Sequence, residues 1–264
     1  MTSGTAIAPG RSDATIDAAS PAIDIKGLTK RYGAAQPLVL DGIELQVARG
    51  EFVCLLGASG CGKSTLLNIV AGLEAPTTGT VSVPSGRAAV MFQDAALFPW
   101  LSARRNVELA LQLSGAAKAE RSRRAVELLE LVNLADAADK RPHELSGGMR
   151  QRVALARALA QDRDVLLMDE PFAALDAITR DILHDQLERI WRTTGRTIVF
   201  VTHNVREAVR LGQRVVLLSS RPGRVAEQWT IDERLRSGED EADAAELAAG
   251  ITDRLRGELV RHVA

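Results

Sequence analysis

One stretch of eight residues constrains this chain more than any other. Residues 57–64 read Gly-Ala-Ser-Gly-Cys-Gly-Lys-Ser, an uninterrupted match to G-x-x-x-x-G-K-[S/T]. The stretch lies between an apolar run at 52–56, which predicts a strand, and a run at 66–71, which predicts a helix ending at Gly72. Glycines let backbone N–H groups close around phosphate oxygens, and the helix N-terminus adds a partial positive charge. The sequence therefore predicts a phosphate loop that binds a nucleoside triphosphate. A chance match to the motif would not account for its position between a predicted strand and a predicted helix.

Three side chains of the phosphate loop have predictable tasks. Lys63 is the mobile cation for the β- and γ-phosphates, Ser64 offers a hydroxyl to Mg²⁺, and Thr65 can make a further phosphate contact. The other loop residues are expected to bind through their backbone. The predicted nucleotide-binding set is Gly57, Ala58, Ser59, Gly60, Cys61, Gly62, Lys63, Ser64 and Thr65.

Composition fits one large globular domain. The chain has 264 residues, of which 46% are hydrophobic and 25% charged, so it can form a substantial core. Its 33 basic and 34 acidic residues give no bulk charge that would favour nucleic acid or an anionic membrane surface. No apolar run approaches the ~20 residues that span a bilayer. Cys54 is expected in a buried strand and Cys61 in the loop, which indicates a reducing compartment rather than a disulfide.

Hydrophobic patterning predicts the fold class. Apolar runs without alternation, typical of a parallel sheet covered on both faces, occupy residues 52–56, 89–92, 165–168, 197–201 and 215–218. Residues 38–47 partly alternate, as an antiparallel sheet with one wet face requires, and helical periodicity prevails from 107 to 145. We therefore predict an α/β fold with a mainly parallel core sheet, an N-terminal antiparallel β-subdomain and a helical insertion.

Two carboxylates end one of the predicted core strands. Residues 165–170 read Val-Leu-Leu-Met-Asp-Glu. A strand buried on both faces delivers such residues at its carboxyl edge, where ligands bind in open α/β sheets. Asp169 can hold Mg²⁺ as the acidic partner of Ser64, and Glu170 is the candidate that polarises an attacking water. The alternative, a solvated acidic pair, does not explain the nearby phosphate loop.

A second glycine-rich string lies ahead of the acidic strand. Residues 145–151 read Leu-Ser-Gly-Gly-Met-Arg-Gln and open a predicted helix. The Ser146 hydroxyl and the bare amides of Gly147 and Gly148 could meet phosphate. Ser-Gly-Gly alone is also a common helix cap. The whole string, followed by the acidic strand, closely resembles the signature motif of the ATP-binding cassette, or ABC, ATPases.

The resemblance covers roughly residues 23–224 and implies further site residues. Tyr32 matches the aromatic that stacks on adenine, Gln93 the glutamine that senses Mg²⁺ and the γ-phosphate, and Asp176 the loop that communicates between paired subunits. His203 matches the switch histidine that contacts the γ-phosphate. His143, His184 and His262 have no such support.

The sequence motifs and the resemblance together imply a catalytic set, a Mg²⁺ set and a nucleotide-binding set of residues. The catalytic set is Glu170, His203 and Gln93, and the Mg²⁺ set is Ser64, Gln93 and Asp169. To the phosphate loop the resemblance adds the nucleotide-binding residues Tyr32, Ser146, Gly147, Gly148 and Asp176. ATP and Mg²⁺ are the implied cofactors.

The resemblance also implies domain boundaries. Residues 1–21, rich in Ala, Ser, Thr and Gly, are expected to form a disordered leader. Residues 22–224 would be the ABC cassette, with a helical subdomain at about 102–160. Residues 225–264 are expected to be a helix-prone tail, too short to hold a core of its own.

Partners follow from the resemblance. Two cassettes of this family pair head to tail, so the Ser146 loop of one copy closes over the phosphates held by Lys63 of the other. A single cassette without a spanning helix implies transmembrane permease subunits from other chains, with this chain peripheral at the cytoplasmic face of the inner membrane. An extracytoplasmic solute-binding protein is implied indirectly, and nucleic acid is not an expected partner.

Three segments look most like the ATP-binding subunits of nitrate, sulfonate and taurine importers: Phe98-Pro99-Trp100, residues 169–176 and residues 217–224. The expected cargo is a small anion, either an aliphatic sulfonate such as taurine or nitrate. Phe98 and Trp100 would receive a partner helix, or be buried within the cassette itself.

Two alternatives stay open at this point. One is a soluble ABC ATPase that acts on nucleic acid or ribosomes, although such proteins usually carry tandem cassettes, a coiled-coil insertion or zinc-binding cysteines. The other is an exporter cassette. A GTPase or a small-molecule kinase would not account for the signature string.

Overall fold

The computed structural model describes residues 20–263, with side chains to residue 260. The predicted leader therefore lies almost wholly outside the described residues. The strands are β1 (Ile23–Lys30), β2 (Leu40–Val47), β3 (Phe52–Gly57), β4 (Thr78–Ser82), β5 (Ala89–Met91), β6 (Val165–Asp169), β7 (Thr197–Val201), β8 (Arg214–Leu218) and β9 (Val225–Thr230). The α-helices are α1 (Lys63–Val70), α2 (Ala103–Leu113), α3 (Lys118–Leu131), α4 (Gly147–Leu159), α5 (Ala177–Thr194), α6 (Val205–Leu211), α7 (Glu233–Ser237) and α8 (Glu241–Val263).

The core sheet has the spatial order β5-β6-β7-β3-β8-β9. All of its pairs are parallel except β8 with β9. This confirms the mainly parallel sheet that the unalternating apolar runs predict. Because β3, β6 and β7 are parallel neighbours, their carboxyl ends meet at one edge of the sheet. The residues that follow these three strands are thereby brought together.

Both faces of the core sheet are buried, which explains why its strands do not alternate. Along β3, Phe52, Cys54 and Leu56 join a cluster with helices α2 to α6. Val53 and Leu55 join a second cluster with α1 and the N-terminal strands. Every residue of β3 is buried, so each position gains from being apolar.

The N-terminal sheet is antiparallel, with the order β2-β1-β4. Ile23 pairs with Val47 and Ile25 with Leu45. Strand β2 buries alternate residues through most of its length, as the partial alternation of residues 38–47 predicts. The antiparallel subdomain is therefore confirmed.

Helices α2, α3 and α4 come between β5 and β6 and share one hydrophobic cluster. This is the helical insertion that periodicity predicts between sheet strands. Ser102 caps α2 by accepting a hydrogen bond from the backbone of Arg105, and Ser146 caps α4 in the same way through Met149.

The tail differs from the prediction at its beginning. The sequence predicts that the cassette ends at residue 224 and that a helix-prone tail follows. Residues Val225–Thr230 instead form β9, which extends the core sheet antiparallel to β8. Helices α7 and α8 follow and pack beside α6. In the described part of the chain, none of the helices combines the length and apolarity that a bilayer crossing requires.

Candidate functional site

The phosphate loop connects β3 to α1 at the carboxyl edge of the sheet. Gly57 and Gly62 occupy positions that exclude other residues: an added Cβ would lie 2.6 Å from Cys61 Sγ at the first and 2.6 Å from Leu40 Cδ2 at the second. Gly62 also has φ 102°, in the left-handed region. The backbone of the loop is thus tightly wound against its neighbours, and the N-terminus of α1 points toward any anion held there.

Lys63 is buried at the base of the phosphate loop. Its side chain is only 5% exposed, and Nζ donates to the carbonyl oxygens of Gly57 at 2.8 Å and Ala58 at 3.0 Å. Nζ also lies 4.0 Å from Glu170 Oε1. Two backbone carbonyls and the Glu170 carboxylate therefore hold the ammonium group where the ends of β3 and β6 meet.

Ser64 and Asp169 meet across the ends of α1 and β6. Burial raises the pKa of Asp169, and a hydrogen bond with the Ser64 side chain opposes that rise. A hydroxyl and a carboxylate are oxygen ligands of the kind Mg²⁺ prefers. No cluster of three or more His, Cys, Asp or Glu suitable for a metal occurs among the described residues. The pair therefore fits a metal that takes its remaining ligands from phosphate and water.

Glu170 follows β6 in an unusual backbone conformation. Its φ is 42°, in the left-handed region that a residue with a Cβ rarely adopts, and its N–H donates to the carbonyl of Val201 at 3.0 Å. This turn brings Glu170 Oε2 to 2.9 Å from His203 Nδ1. Glu170 is consequently held between Lys63 and His203, beside the phosphate loop.

Tyr32 stands at the mouth of the cleft next to the phosphate loop. The residue is 55% exposed, and its hydroxyl lies 3.3 Å from Thr65 Oγ1 and donates to Glu74 Oε2 at 3.1 Å. The cleft has a volume of about 440 Å³. Its walls are formed by Tyr32, Gln36, Pro37, Leu38, Val39, Ser59, Gly60, Gly62, Lys63, Ser64, Thr65, Glu170 and Arg221. We call it the P-loop cleft.

Gln93 follows β5, the strand that pairs with β6 in the core sheet. It is exposed, it does not line the P-loop cleft, and its carbonyl accepts a hydrogen bond from Gln151 Nε2 at 2.8 Å. Gln151 belongs to α4, so the segment after β5 is tied to the helix that the signature string opens.

The signature string and Asp176 form a second cluster. Gly148 faces α5 so closely that an added Cβ would lie 2.5 Å from Thr179 Cγ2. Asp176 caps α5 by accepting the N–H of Thr179 at 2.9 Å, and that backbone hydrogen bond lowers the pKa of its carboxyl. Among the described residues that line the P-loop cleft, none comes from residues 145–151 or 176. The predicted site residues therefore fall into two separate clusters in one molecule.

Arg221 is a residue of the P-loop cleft that the sequence does not single out. It lies in the turn between β8 and β9, and its Nε donates to the carbonyl of Gly60 at 2.9 Å. Strand β8 pairs with β3, so the turn after β8 lies beside the phosphate loop. Only the strand order, which the sequence does not reveal, would identify this residue.

The segment after Gln93 is hydrogen-bonded to side chains of the helical insertion and exposes apolar side chains to solvent. Asn106, fully buried, accepts from the N–H of Phe98 at 2.9 Å and donates to three nearby carbonyls. Arg157 donates to the carbonyls of Ala95 at 2.7 Å and Ala96 at 2.6 Å. Phe98 and Trp100 nevertheless remain 37% and 68% exposed.

A groove of about 470 Å³ runs between this segment and α2. Its walls include the apolar side chains of Leu73, Phe92, Phe98, Leu109 and Leu113 and the basic side chains of Arg87, Arg157 and Arg163. We call it the apolar groove. Burial inside the chain, the alternative for Phe98 and Trp100, is incomplete for both residues.

Comparison with known proteins gives a consistent result. A family model described as "ABC transporter" matches residues 40–173. The taurine import ATP-binding protein TauB of Mesorhizobium japonicum is 47% identical over 212 residues, which cover 78% of this chain and 82% of the relative. The nitrate import ATP-binding protein NrtD of Synechocystis sp. is 47% identical over 202 residues, which cover 74% and 76%.

Solved structures agree with the sequence relatives. A dimeric post-hydrolysis state of an ATP-binding cassette bound to ADP and Pi superimposes with a TM-score of 0.70 at 33% identity. The match covers 80% of this chain and 99% of the other. The α/β architecture with its two sheets is therefore that of a known group of nucleotide-binding proteins.

Proposed function

Because this chain belongs to the ABC transporter family, as its ATP-binding and ATP-hydrolysing subunit, we propose that it energises the import of a small anionic solute. The proposed cargo is an aliphatic sulfonate such as taurine, or nitrate. The observation that carries the mechanism is the position of Glu170 between Lys63 and His203, next to the phosphate loop.

In the proposed mechanism, the phosphate loop and Lys63 hold the triphosphate and counter the charge that develops on it. Lys63 exchanges its carbonyl partners for phosphate oxygens, and Tyr32 offers its exposed ring to the base. Glu170 accepts a hydrogen bond from the attacking water and aligns it with the γ-phosphate. His203 keeps the Glu170 carboxylate in place and contacts the γ-phosphate from the side of Glu170 that is opposite Lys63.

Mg²⁺ fits the Ser64 and Asp169 pair. When bound, it would neutralise negative charge on the triphosphate. Burial raises the pKa of Asp169, and a divalent cation would favour the charged carboxylate against that burial. Gln93, which follows the strand beside β6, would complete the set.

The second cluster is proposed to serve a neighbouring copy. Ser146, Gly147, Gly148 and Asp176 stand away from the P-loop cleft of their own chain but carry a helix N-terminus and bare amides suited to phosphate. Head-to-tail pairing brings them over the phosphates held by a partner. The dimeric cassette with 33% identity supports this arrangement. ATP then closes the pair, and its hydrolysis releases it.

The apolar groove is the proposed docking site for permease subunits. Its apolar side chains Leu73, Phe92, Phe98 and Leu113 are exposed. The backbone beneath them is fixed by hydrogen bonds from Asn106 and Arg157. An amphipathic helix of a partner would cover these side chains. Because the groove adjoins Gln93, docking and nucleotide sensing share one segment. The chain would thus be peripheral at the cytoplasmic face of the inner membrane, with a solute-binding protein on the opposite side.

Glu170→Gln tests the catalytic assignment. We expect ATP hydrolysis to fall by a factor of about 10² or more because a neutral amide polarises the attacking water much less than a carboxylate does, while ATP still binds. ATP should then shift this variant from monomer to dimer in size-exclusion light scattering. Glu130→Gln, at an exposed position of α3, is the control. Normal turnover in Glu170→Gln would refute the role, and no shift at saturating ATP would refute ATP-driven closure.

Uptake of labelled taurine tests the cargo. Cells that carry Glu170→Gln or a deletion should lose uptake that wild-type cells show. Competition by nitrate would reassign the cargo from sulfonate to nitrate, and unchanged uptake would refute both. The ATPase assay is independent of this result, so failure of the cargo proposal would leave the catalytic one standing.

A further inference from the structure

A buried polar network lies directly behind His203. His184, Thr202 and Glu207 are each at most 7% exposed, although they come from three different places in the chain. His184 belongs to α5, Thr202 follows β7, and Glu207 lies in the first turn of α6. Sequence alone gives none of the three a role in the reaction.

Glu207 connects the other two residues. Its Oε1 is 2.5 Å from His184 Nε2, and its Oε2 accepts a hydrogen bond from the Thr202 hydroxyl. That hydroxyl in turn accepts the N–H of Asn204 at 3.0 Å. Residues on both sides of His203 are therefore attached to one carboxylate, which His184 holds from behind.

His184 also contacts the loop that carries Glu170. Its ring centroid is 5.7 Å from that of Phe172, which is two residues beyond Glu170. Its Nδ1 is buried without a hydrogen-bond partner among the described residues, and Asp181 Oδ1 lies 3.8 Å away. Within the part of the chain that the structure describes, the short hydrogen bond of this imidazole is thus the one to Glu207.

The His203 side chain is 60% exposed, and its ring contacts Glu170 through Nδ1, so its placement depends on its own backbone. A buried carboxylate remains in place only while donors satisfy it. Without the donor from His184, the Glu207 carboxylate would shift toward another donor. The Thr202 hydroxyl, which donates to the same carboxylate, would shift with it. Displacements of about 1 Å in such supporting groups can change a rate strongly.

We propose that His184 is a positioning residue for ATP hydrolysis: from α5 it holds the Glu207 carboxylate that fixes the backbone on both sides of His203. Among the described residues, the side-chain hydrogen bonds of this network join His184, Thr202, Asn204 and Glu207 and do not include the phosphate loop. Its loss is therefore expected to act on turnover and to leave nucleotide binding in place. A histidine that merely fills the core would affect stability alone.

The test compares two substitutions at residue 184 in the full chain. His184→Phe keeps a ring against Phe172 but cannot donate to Glu207, whereas His184→Gln keeps a donor. We expect His184→Phe to lower kcat about tenfold with KM for ATP within about twofold of wild type, and His184→Gln to restore most of the loss. The control is Gln186→Leu, in the same helix as His184, which removes a buried hydrogen bond from Gln186 to the carbonyl of Leu131 in α3. It should reduce the melting temperature without lowering kcat.

Thr202→Val tests the same network at its other end. It preserves the shape of the side chain and removes the hydroxyl, so it is informative even if His184→Phe fails to fold. A similar fall in kcat at unchanged KM supports the proposal. Wild-type kcat in Thr202→Val, or equal loss in His184→Phe and His184→Gln, would overturn it.

Discussion

At the scale of single residues, burial decides what a side chain can do. Cys54 lies in the middle of β3 and is fully buried, and this burial raises the pKa of its thiol well above the ordinary value of 9.0. Cys61, in the phosphate loop, has a raised pKa for the same reason, although Lys63 opposes the rise. Both thiols are free, and burial favours the neutral form of each, which is the less reactive one.

The buried thiol of Cys54 should make the protein lose stability in alkaline solution. Below the ordinary pKa of 9.0 both states keep the proton, so Cys54 contributes nothing to the pH dependence. Above it the unfolded chain loses the proton while the folded chain retains it, and the free energy of unfolding falls by up to about 1.4 kcal/mol per pH unit. Urea unfolding of wild type and Cys54→Ala between about pH 7 and 10.5 measures the difference. Parallel curves for the two proteins would contradict this expectation.

At the scale of helices and strands, contacts at the ends of parallel strands can be predicted from the sequence, whereas contacts between helices cannot. The Ser64 and Asp169 pair was predictable because each residue follows a strongly apolar strand, and parallel strands place such ends side by side. His184 and Glu207 were not predictable, since they lie on two helices whose packing depends on the whole core. Strand β9 was missed because an edge strand buries only half of its surface and Glu227 and Gln228 weaken its pattern.

The contact between α4 and α5 should be sensitive to a single methyl group. Gly148→Ala would place a Cβ 2.5 Å from Thr179 Cγ2, and such overpacking costs about 1–3 kcal/mol. We expect ATP-driven dimerisation of a Glu170→Gln background to weaken while fluorescent ATP analogues still bind to the phosphate loop.

Two variants make the Gly148 experiment specific. Gly250→Ala in α8, where an added Cβ meets nothing within 4 Å, should leave dimerisation unchanged and slightly favour the helix. Thr179→Ser removes the crowded methyl but keeps the hydroxyl, so combining it with Gly148→Ala should recover part of the loss. Unaltered dimerisation in Gly148→Ala alone would show that the helix contact adjusts freely.

For the whole molecule, the C-terminal region contributes to the core rather than trailing from it. Strand β9 covers the edge of β8, which is almost wholly buried. Helix α8 adds Ala248 and Ile251 to the main hydrophobic cluster, and Arg236 of α7 lies over the Trp191 ring at 4.9 Å. The sequence suggested a boundary at residue 224 because the resemblance fades there, whereas hydrophobic packing continues beyond it.

Two truncations should therefore behave differently. A chain ending at residue 231 loses α7 and α8 but keeps β9, and we expect it to fold with reduced stability. A chain ending at residue 224 also exposes the hydrogen-bonding edge and apolar face of β8, and we expect it to aggregate. Soluble yield and nucleotide binding measure the outcome, and equal solubility of the two chains would show that β9 is dispensable.

The separation of Ser146 from the P-loop cleft of its own chain has a consequence for inheritance. Under head-to-tail pairing, a copy defective at Lys63 and a copy defective at Ser146 would each fail when alone. When mixed, they would form one composite site with both lesions and one with neither. Two recessive alleles of the same gene would then rescue each other in part, whereas two lesions within one cluster would not.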